Sequence, residues 1–241
     1  WQAGLLTIQA ELERGIREFC NESSRVVAAS RTDAGVHAKG QVVSFWAKST
    51  LDNMTLVKAL NYYLPSDIVV KAGYRINSDF NVRRDALSRE YCYHILNSET
   101  PSPFSKRFAL FIPKMLNIEA MNGACQFIQG EHNFTSFVSS LHGIKSTLRQ
   151  VYKADIAKKG EFATFHVVAN SFLPHQVRNT IGLLIRLGLG KMKVEDFCDI
   201  MAAKSPGLAG PTAPAHALWL TKINYSKPLG FESLDVENEN L

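Results

Sequence analysis

The order in which helical and strand-like apolar patterns follow one another constrains the fold of this chain most, because the two halves show a similar order. In the first half, Thr7 precedes apolar residues at helical spacing, and Pro65 ends a second helical pattern. The expected elements of this half are a helix at 7–20, strands at 25–29 and 41–46, a helix around 56–64, and strands at 67–74 and 88–97. The predicted order is therefore α-β-β-α-β-β.

The second half shows a similar order of patterns after the proline-containing segment 97–104, which is the best candidate for a domain junction. Its expected elements are a helix from Asn117, strands at 148–157 and 162–169, helices at 174–187 and 194–203, and a strand at 216–225. We therefore expect an α+β fold with domains at 1–100 and 101–241. The two ferredoxin-like α/β halves would form one continuous, mostly antiparallel central sheet with a catalytic cleft between them.

The composition of the chain limits which partners it can bind and which cellular compartment suits it. The chain has 27 Lys and Arg against 22 Asp and Glu, a net charge of +5, which is compatible with a polyanionic partner such as nucleic acid. Its four cysteines form no Cys-x-x-Cys pair, which disfavours a zinc ribbon or a disulfide framework and favours a reducing, cytoplasmic setting. A run of about 18 apolar residues, as a membrane-spanning helix requires, does not occur.

The segment Ser30-Arg-Thr-Asp-Ala-Gly-Val-His37 connects two apolar runs and carries one acidic residue, Asp33. Arg31 offers a permanent positive charge that could keep the carboxylate ionised, and Gly35 permits a positive φ. This pattern predicts a carboxylate held rigidly at the end of a strand. A purely structural turn explains these residues equally well, because Asp and Gly are also common turn residues.

Five separated stretches together resemble the tRNA pseudouridine synthase A family, in the order in which the family has them. They are Ser30–Ala38 with Gln41–Phe45, Asp79–Ala86 with Arg89–Tyr93, Gly130–Phe137, Phe172–Gly182 and Thr212–Leu218. The resemblance covers nearly the whole chain. Family members usually begin with a strand before the first helix, whereas this chain starts at Trp1-Gln2, so we expect the first strand to be missing.

The resemblance implies an isomerase that converts uridine to pseudouridine in the anticodon stem-loop of tRNA, at the expected positions 38–40, without a cofactor or metal. Asp33 matches the family nucleophile, and its attack on the base or on the sugar stays open. Tyr91 would stack on the target base, with Tyr93 in the core, and Arg178 would pair with Asp33. Arg31 could serve either Asp33 or a phosphate. The family resemblance also implies a homodimer that binds tRNA.

A catalytically silent tRNA-binding protein of the same fold is the alternative, against which the retained Asp33, Tyr91 and Arg178 argue. Three histidines, His37, His132 and His175, are interpreted as loop or cap residues rather than catalytic ones. Several basic residues could line a tRNA surface through phosphate contacts: Arg83, Arg84, Arg89, Lys106, Arg107, Lys145 and Arg149.

Overall fold

A computed structural model describes residues 7–48 and 50–230 of the chain. Helices and strands are interspersed along it, as the apolar patterns predict. In chain order the elements are α1 (Ile8–Cys20), β1 (Val27–Ala28), β2 (His37–Ala38), β3 (Val43–Ser44), α2 (Asn53–Tyr63), β4 (Ser88–Leu96), β5 (Leu110–Phe111), α3 (Ile118–Ile128), β6 (Gly130–Asn133), β7 (Leu148–Lys159), β8 (Phe162–Ala169), α4 (Gln176–Gly188), α5 (Val194–Ala203) and β9 (Leu218–Asn224).

The chain divides into two compact units. The first comprises Trp1–Ser30, Val42–Ala86 and Tyr225–Leu241, and the second comprises Arg31–Gln41 and Leu87–Asn224. The boundary predicted near residue 100 lies inside the second unit, because β4 pairs with β8 and β9 along most of its length. The loop that carries Asp33 also belongs to the second unit.

Helices α1 and α2 supply the apolar core of the first unit. Thr7 caps α1 by accepting a hydrogen bond from the backbone N–H of Ala10, as its position in the sequence predicts. The buried cluster consists of Leu12, Ile16, Val26, Leu60 and Leu64. Strands β1 and β3 pair antiparallel beside it, which confirms the predicted hairpin although each strand has only two residues.

The segment 67–74, predicted as a strand, forms no strand, and that prediction was wrong. The Asn61 side chain occupies the backbone groups that a neighbouring strand would use. Its amide donates to the Val70 carbonyl at 2.8 Å, and its oxygen accepts from the Val70 N–H at 2.7 Å. Since one side-chain amide satisfies both backbone polar groups of Val70, this residue needs no hydrogen bonds from a neighbouring strand.

The second unit is built on a seven-stranded sheet with the order β2-β9-β4-β8-β7-β6, and β5 pairs with β4. Pairs β2–β9 and β4–β5 are parallel and the others antiparallel, so the sheet is mixed but mostly antiparallel. Side chains of β4 and β8 alternate between buried and half-buried, and Tyr91, Tyr93, Phe165 and Val167 are buried. This alternation leaves one apolar face for helix packing.

The strands of the described residues belong to two separate sheets, so they do not form the single continuous sheet expected from the sequence. Strands β1 and β3 pair only with each other, over two residues each. The mixed α/β character and the mostly antiparallel main sheet are as expected. Helix positions are close to prediction: Asn117 caps α3, and α5 begins and ends at the predicted residues.

Candidate functional site

The Asp33 loop is attached to one edge of the main sheet. It leads directly into β2, where His37 and Ala38 pair in parallel with Trp219 and Leu220 of β9. Within the loop, the N–H of Val36 donates to the carbonyl of Asp33 at 3.1 Å, and Gly35 has φ +82°. A side chain at Gly35 would be strained in this conformation, so the turn after Asp33 depends on glycine. The sequence predicts this carboxylate at the end of a strand, and in the structure Asp33 lies in the loop between the end of β1 at Ala28 and the start of β2 at His37.

Arg178, from the first turn of α4, holds the Asp33 carboxylate. Its Nη1 lies 2.8 Å from Asp33 Oδ2, and its Nε donates to the carbonyl of Ala213 at 2.8 Å. The Arg178 side chain is 18% exposed and that of Asp33 is 32% exposed. A guanidinium that is fixed at two points in a partly buried place orients a carboxylate far better than a flexible surface cation does.

The segment 211–214, whose Ala213 carbonyl accepts a hydrogen bond from Arg178, is held by hydrogen bonds to α4 and β4. The N–H of Ala213 donates to the Arg178 carbonyl at 3.1 Å, and Thr212 Oγ1 lies 2.6 Å from Asn179 Oδ1. The Tyr93 hydroxyl donates to the carbonyl of Pro214 at 3.0 Å. Thr212 and Ala213 thus contact α4 and Pro214 contacts β4, which fixes the segment and with it the Ala213 carbonyl that positions Arg178.

Buried polar side chains fix the beginning of α4 itself. Gln176 accepts from the Leu173 N–H at 2.8 Å, and Asn179 donates to the Phe137 carbonyl at 2.7 Å. Gln176 and Asn179 are 2% and 4% exposed. Buried polar groups that are fully hydrogen-bonded rigidify their surroundings, so this helix end is a stable platform for Arg178.

His175 is the residue immediately before α4, and its ring faces Asp33. Its Nε2 lies 3.7 Å from Asp33 Oδ1, the carboxylate oxygen that Arg178 does not hold. The backbone of His175 is left-handed, with φ 60° and ψ 0°. Sequence reasoning predicted a cap residue here, which its position confirms, but it did not predict that the ring would lie beside the carboxylate.

Tyr91 and Tyr93 lie two residues apart on β4 and share its buried face. Tyr91 is 5% exposed, and its ring packs edge-on against Phe172 at 5.2 Å between centroids. Tyr93 is fully buried, and burial raises the pKa of its hydroxyl well above the ordinary value, with Arg178 opposing that shift more weakly. The Tyr93 hydroxyl therefore stays protonated and donates a hydrogen bond to the Pro214 carbonyl. The sequence did not predict this contact.

Arg31, the remaining predicted site residue, is exposed and forms no ion pair with any residue that the structure describes. Arg178 rather than Arg31 is the cation against Asp33. Among the other basic residues, Arg89 is 8% exposed and donates to the Asn170 carbonyl at 2.7 Å, so it is not available to a phosphate. Arg84 is paired with Asp85 at 2.7 Å, whereas Arg83, Lys106, Arg107 and Lys145 are exposed.

The described part of the chain contains neither a cluster of metal-ligand side chains nor a membrane-spanning helix. No group of three or more His, Cys, Asp or Glu residues there is arranged to hold a metal ion. No helix in residues 7–48 and 50–230 is long and apolar enough to cross a membrane.

Comparison with known proteins identifies the family. The family model described as tRNA pseudouridine synthase matches residues 124–226. A tRNA pseudouridine synthase A from Francisella tularensis subsp. holarctica is 37% identical over 224 residues, which cover 93% of this chain and 87% of that protein. The chain belongs to the tRNA pseudouridine synthase A family. The Geobacillus kaustophilus member is 38% identical over 225 residues, with the same coverage of both chains.

Family membership makes this protein an isomerase of the pseudouridine synthase type. Among solved structures, a chain from a crystal structure of a Cbf5-Nop10-Gar1 complex aligns with 74% of this chain and 41% of its own length, at TM-score 0.35 and 15% identity. The match to the tRNA pseudouridine synthase A family spans both units of the chain, including the Asp33 loop and α4.

Proposed function

We propose that the protein converts uridine to pseudouridine in the anticodon stem-loop of tRNA, at positions 38–40, with Asp33 as the nucleophile. The contact of 2.8 Å between Arg178 Nη1 and Asp33 Oδ2 carries this proposal. A carboxylate that is oriented by a guanidinium and still 32% exposed can form a covalent bond to the substrate and leave again. The covalent step would divide a difficult rearrangement into easier ones.

The balance of the isomerisation defines what the site must do. The bond between N1 of uracil and C1′ of the ribose breaks, a bond between C5 and C1′ forms, C5 loses a proton, and N1 gains one. Asp33 would supply the covalent partner during the rotation of the base, and Arg178 would keep its carboxylate in the reactive orientation. The net reaction is redox-neutral and proton-neutral, so it needs no co-reactant.

Release of tritium from C5 of uridine tests this proposal, because the C5 proton is lost only when the new carbon–carbon bond forms. We expect the wild-type protein to release tritium from tRNA labelled at positions 38–40 and none from tRNA labelled only in the acceptor stem. An Asp33→Asn variant should release none from either substrate. Binding of both tRNAs without release from the wild type would instead identify a catalytically silent tRNA-binding protein.

Tyr91 is proposed to contact the target base, and its neighbour Tyr93 provides a matched control on the same strand. Tyr91→Phe should lower turnover about 100-fold, in the range lost with a proton-transfer group. Tyr93→Phe should leave turnover within about threefold but lower the free energy of unfolding by about 1 kcal/mol, because it loses the hydrogen bond to Pro214. Steady-state tritium release and urea denaturation measure the two effects, and the reverse pattern would reassign the tyrosines.

The resemblance also supports a cytoplasmic homodimer with tRNA as its partner, and we propose that state for this protein. The net charge of +5 and the exposed basic residues Arg83, Lys106, Arg107 and Lys145 are compatible with phosphate contacts. Light scattering should give the mass of a dimer for the protein alone and the mass of a dimer plus bound tRNA after tRNA is added. A monomer mass at assay concentration would exclude that state.

A further inference from the structure

We propose that His175 is a positioning residue that orients the Asp33 carboxylate through Oδ1. The proposal rests on the function proposed above, since it concerns the nucleophile of that reaction. Arg178 in the first turn of α4 and His175 immediately before the helix would then flank the carboxylate, with Arg178 on Oδ2 and His175 beside Oδ1.

The distances assign different roles to the two neighbours. At 2.8 Å, Arg178 Nη1 makes a charge-assisted hydrogen bond that is already formed in this structure. At 3.7 Å, His175 Nε2 is within ion-pair range of Oδ1 but too far for a hydrogen bond. Oδ1 is therefore the oxygen left available for attack. The His175 side chain is 44% exposed, so a small rotation can bring its ring closer to Oδ1.

The helix does not use the His175 ring, although the residue occupies its N-cap position. A side chain at this position ordinarily accepts a hydrogen bond from an N–H of the first turn, but His175 makes no such bond. Only its backbone serves the helix, because its carbonyl accepts from the Asn179 N–H at 2.9 Å. The ring is thus free of a capping role, and its position beside Asp33 is the contact that explains a histidine here.

The left-handed backbone of His175 sets the direction of that ring. A φ of 60° is uncommon for residues other than glycine, although Asn, Asp and His adopt it more readily than most. The conformation is fixed from both sides, since the N–H of Gln176 donates to the Leu173 carbonyl at 3.1 Å and Gln176 Oε1 accepts from the Leu173 N–H. Surroundings that over-determine a less favourable conformation are typical of functional sites.

Two substitutions that tolerate the left-handed backbone separate the role of the ring from that of the fold. His175→Gly and His175→Asn should lower kcat for tritium release about 10-fold or more while the KM for tRNA stays within about twofold. Added imidazole should restore part of the kcat of His175→Gly, because it can occupy the space that the side chain vacates. His142→Asn, at an exposed turn, serves as the control and should match the wild type.

The outcomes distinguish failure of this inference from failure of the proposed function. If His175→Gly keeps the wild-type kcat while Asp33→Asn is inactive, the positioning role is overturned and the nucleophile stands. A loss of kcat in His175→Gly that imidazole does not restore, together with a raised KM, would show a structural role and would also overturn the inference. Turnover by Asp33→Asn at the wild-type rate would overturn the proposed function on which it rests.

Discussion

Replacing Arg178 with alanine should lower pseudouridine formation about 1,000-fold while tRNA affinity stays within about threefold of the wild type. The variant loses the hydrogen bond of 2.8 Å to Asp33 and the contact with the Ala213 carbonyl. Without its partner, the carboxylate would rotate and spend little time in the reactive orientation. The saturating rate of tritium release measures turnover, and filter binding measures the affinity for tRNA.

Arg186→Ala is the matched control, because both arginines project from α4 toward carbonyls of the same loop. Arg186 Nη1 lies 3.3 Å from the Gly210 carbonyl, two helical turns beyond Arg178, and it forms no ion pair with a described acidic residue. Turnover by Arg186→Ala should stay within about threefold of the wild type. If Arg178→Ala loses affinity but keeps the saturating rate, Arg178 binds a phosphate instead.

Arg178→Lys separates charge from geometry at the same position. Lysine retains the positive charge, but its single nitrogen cannot reproduce the separate positions of Nη1 and Nε, from which the guanidinium contacts Asp33 and Ala213. Its turnover should therefore lie between those of the wild type and Arg178→Ala. Wild-type turnover by Arg178→Lys would show that charge alone is sufficient.

Replacing Gly182 with alanine should lower the free energy of unfolding by about 2 kcal/mol, although alanine favours a helix. A Cβ at Gly182 would overlap the carbonyl oxygen of Pro211, and backbone cannot move aside as a flexible side chain can. The loop would be pushed away from α4, which would also displace the Ala213 carbonyl that holds Arg178. Turnover should therefore decrease together with stability.

Gly123→Ala provides the control for this prediction, since Gly123 also lies inside a helix. A Cβ there meets nothing within 4 Å, so the substitution should raise the free energy of unfolding by about 0.5–1 kcal/mol. If the close contact with Pro211 causes the loss of stability, urea denaturation should show a lower free energy of unfolding for Gly182→Ala and a higher one for Gly123→Ala. Stabilisation by Gly182→Ala would show that the loop can move away from α4 at little cost.

Much of the fold could be predicted because its long elements carry strong local signals. Thr7 and Asn117 cap α1 and α3 as expected, and β7 and β8 meet at a turn where Gly160 has φ +58°. Local sequence patterns did not predict the segments whose structure depends on hydrogen bonding to distant parts of the chain. The two-residue strands β2 and β5 are too short to show alternation, and the segment 67–74 satisfies Val70 through Asn61 instead of a strand.

The site could be predicted only in part, because its residues are far apart in the chain. Asp33 and Arg178 are separated by 145 residues, and no local pattern brings them together. The family resemblance supplied that pairing, and the structure has the two side chains in contact. The position of the His175 ring depends on a backbone conformation, and the hydrogen bond of the Tyr93 hydroxyl depends on the position of a loop. Sequence patterns predict neither.

A single-turnover measurement on Asp33→Asn tests the central claim most directly, because asparagine keeps the size and shape of the side chain and removes its charge. With the enzyme in excess over tRNA tritiated at C5 of the anticodon-stem uridines, we expect no tritium release above the blank and a Kd within about threefold of the wild type. Release by Asp33→Asn at a rate near that of the wild type would contradict the assignment of Asp33 as the nucleophile.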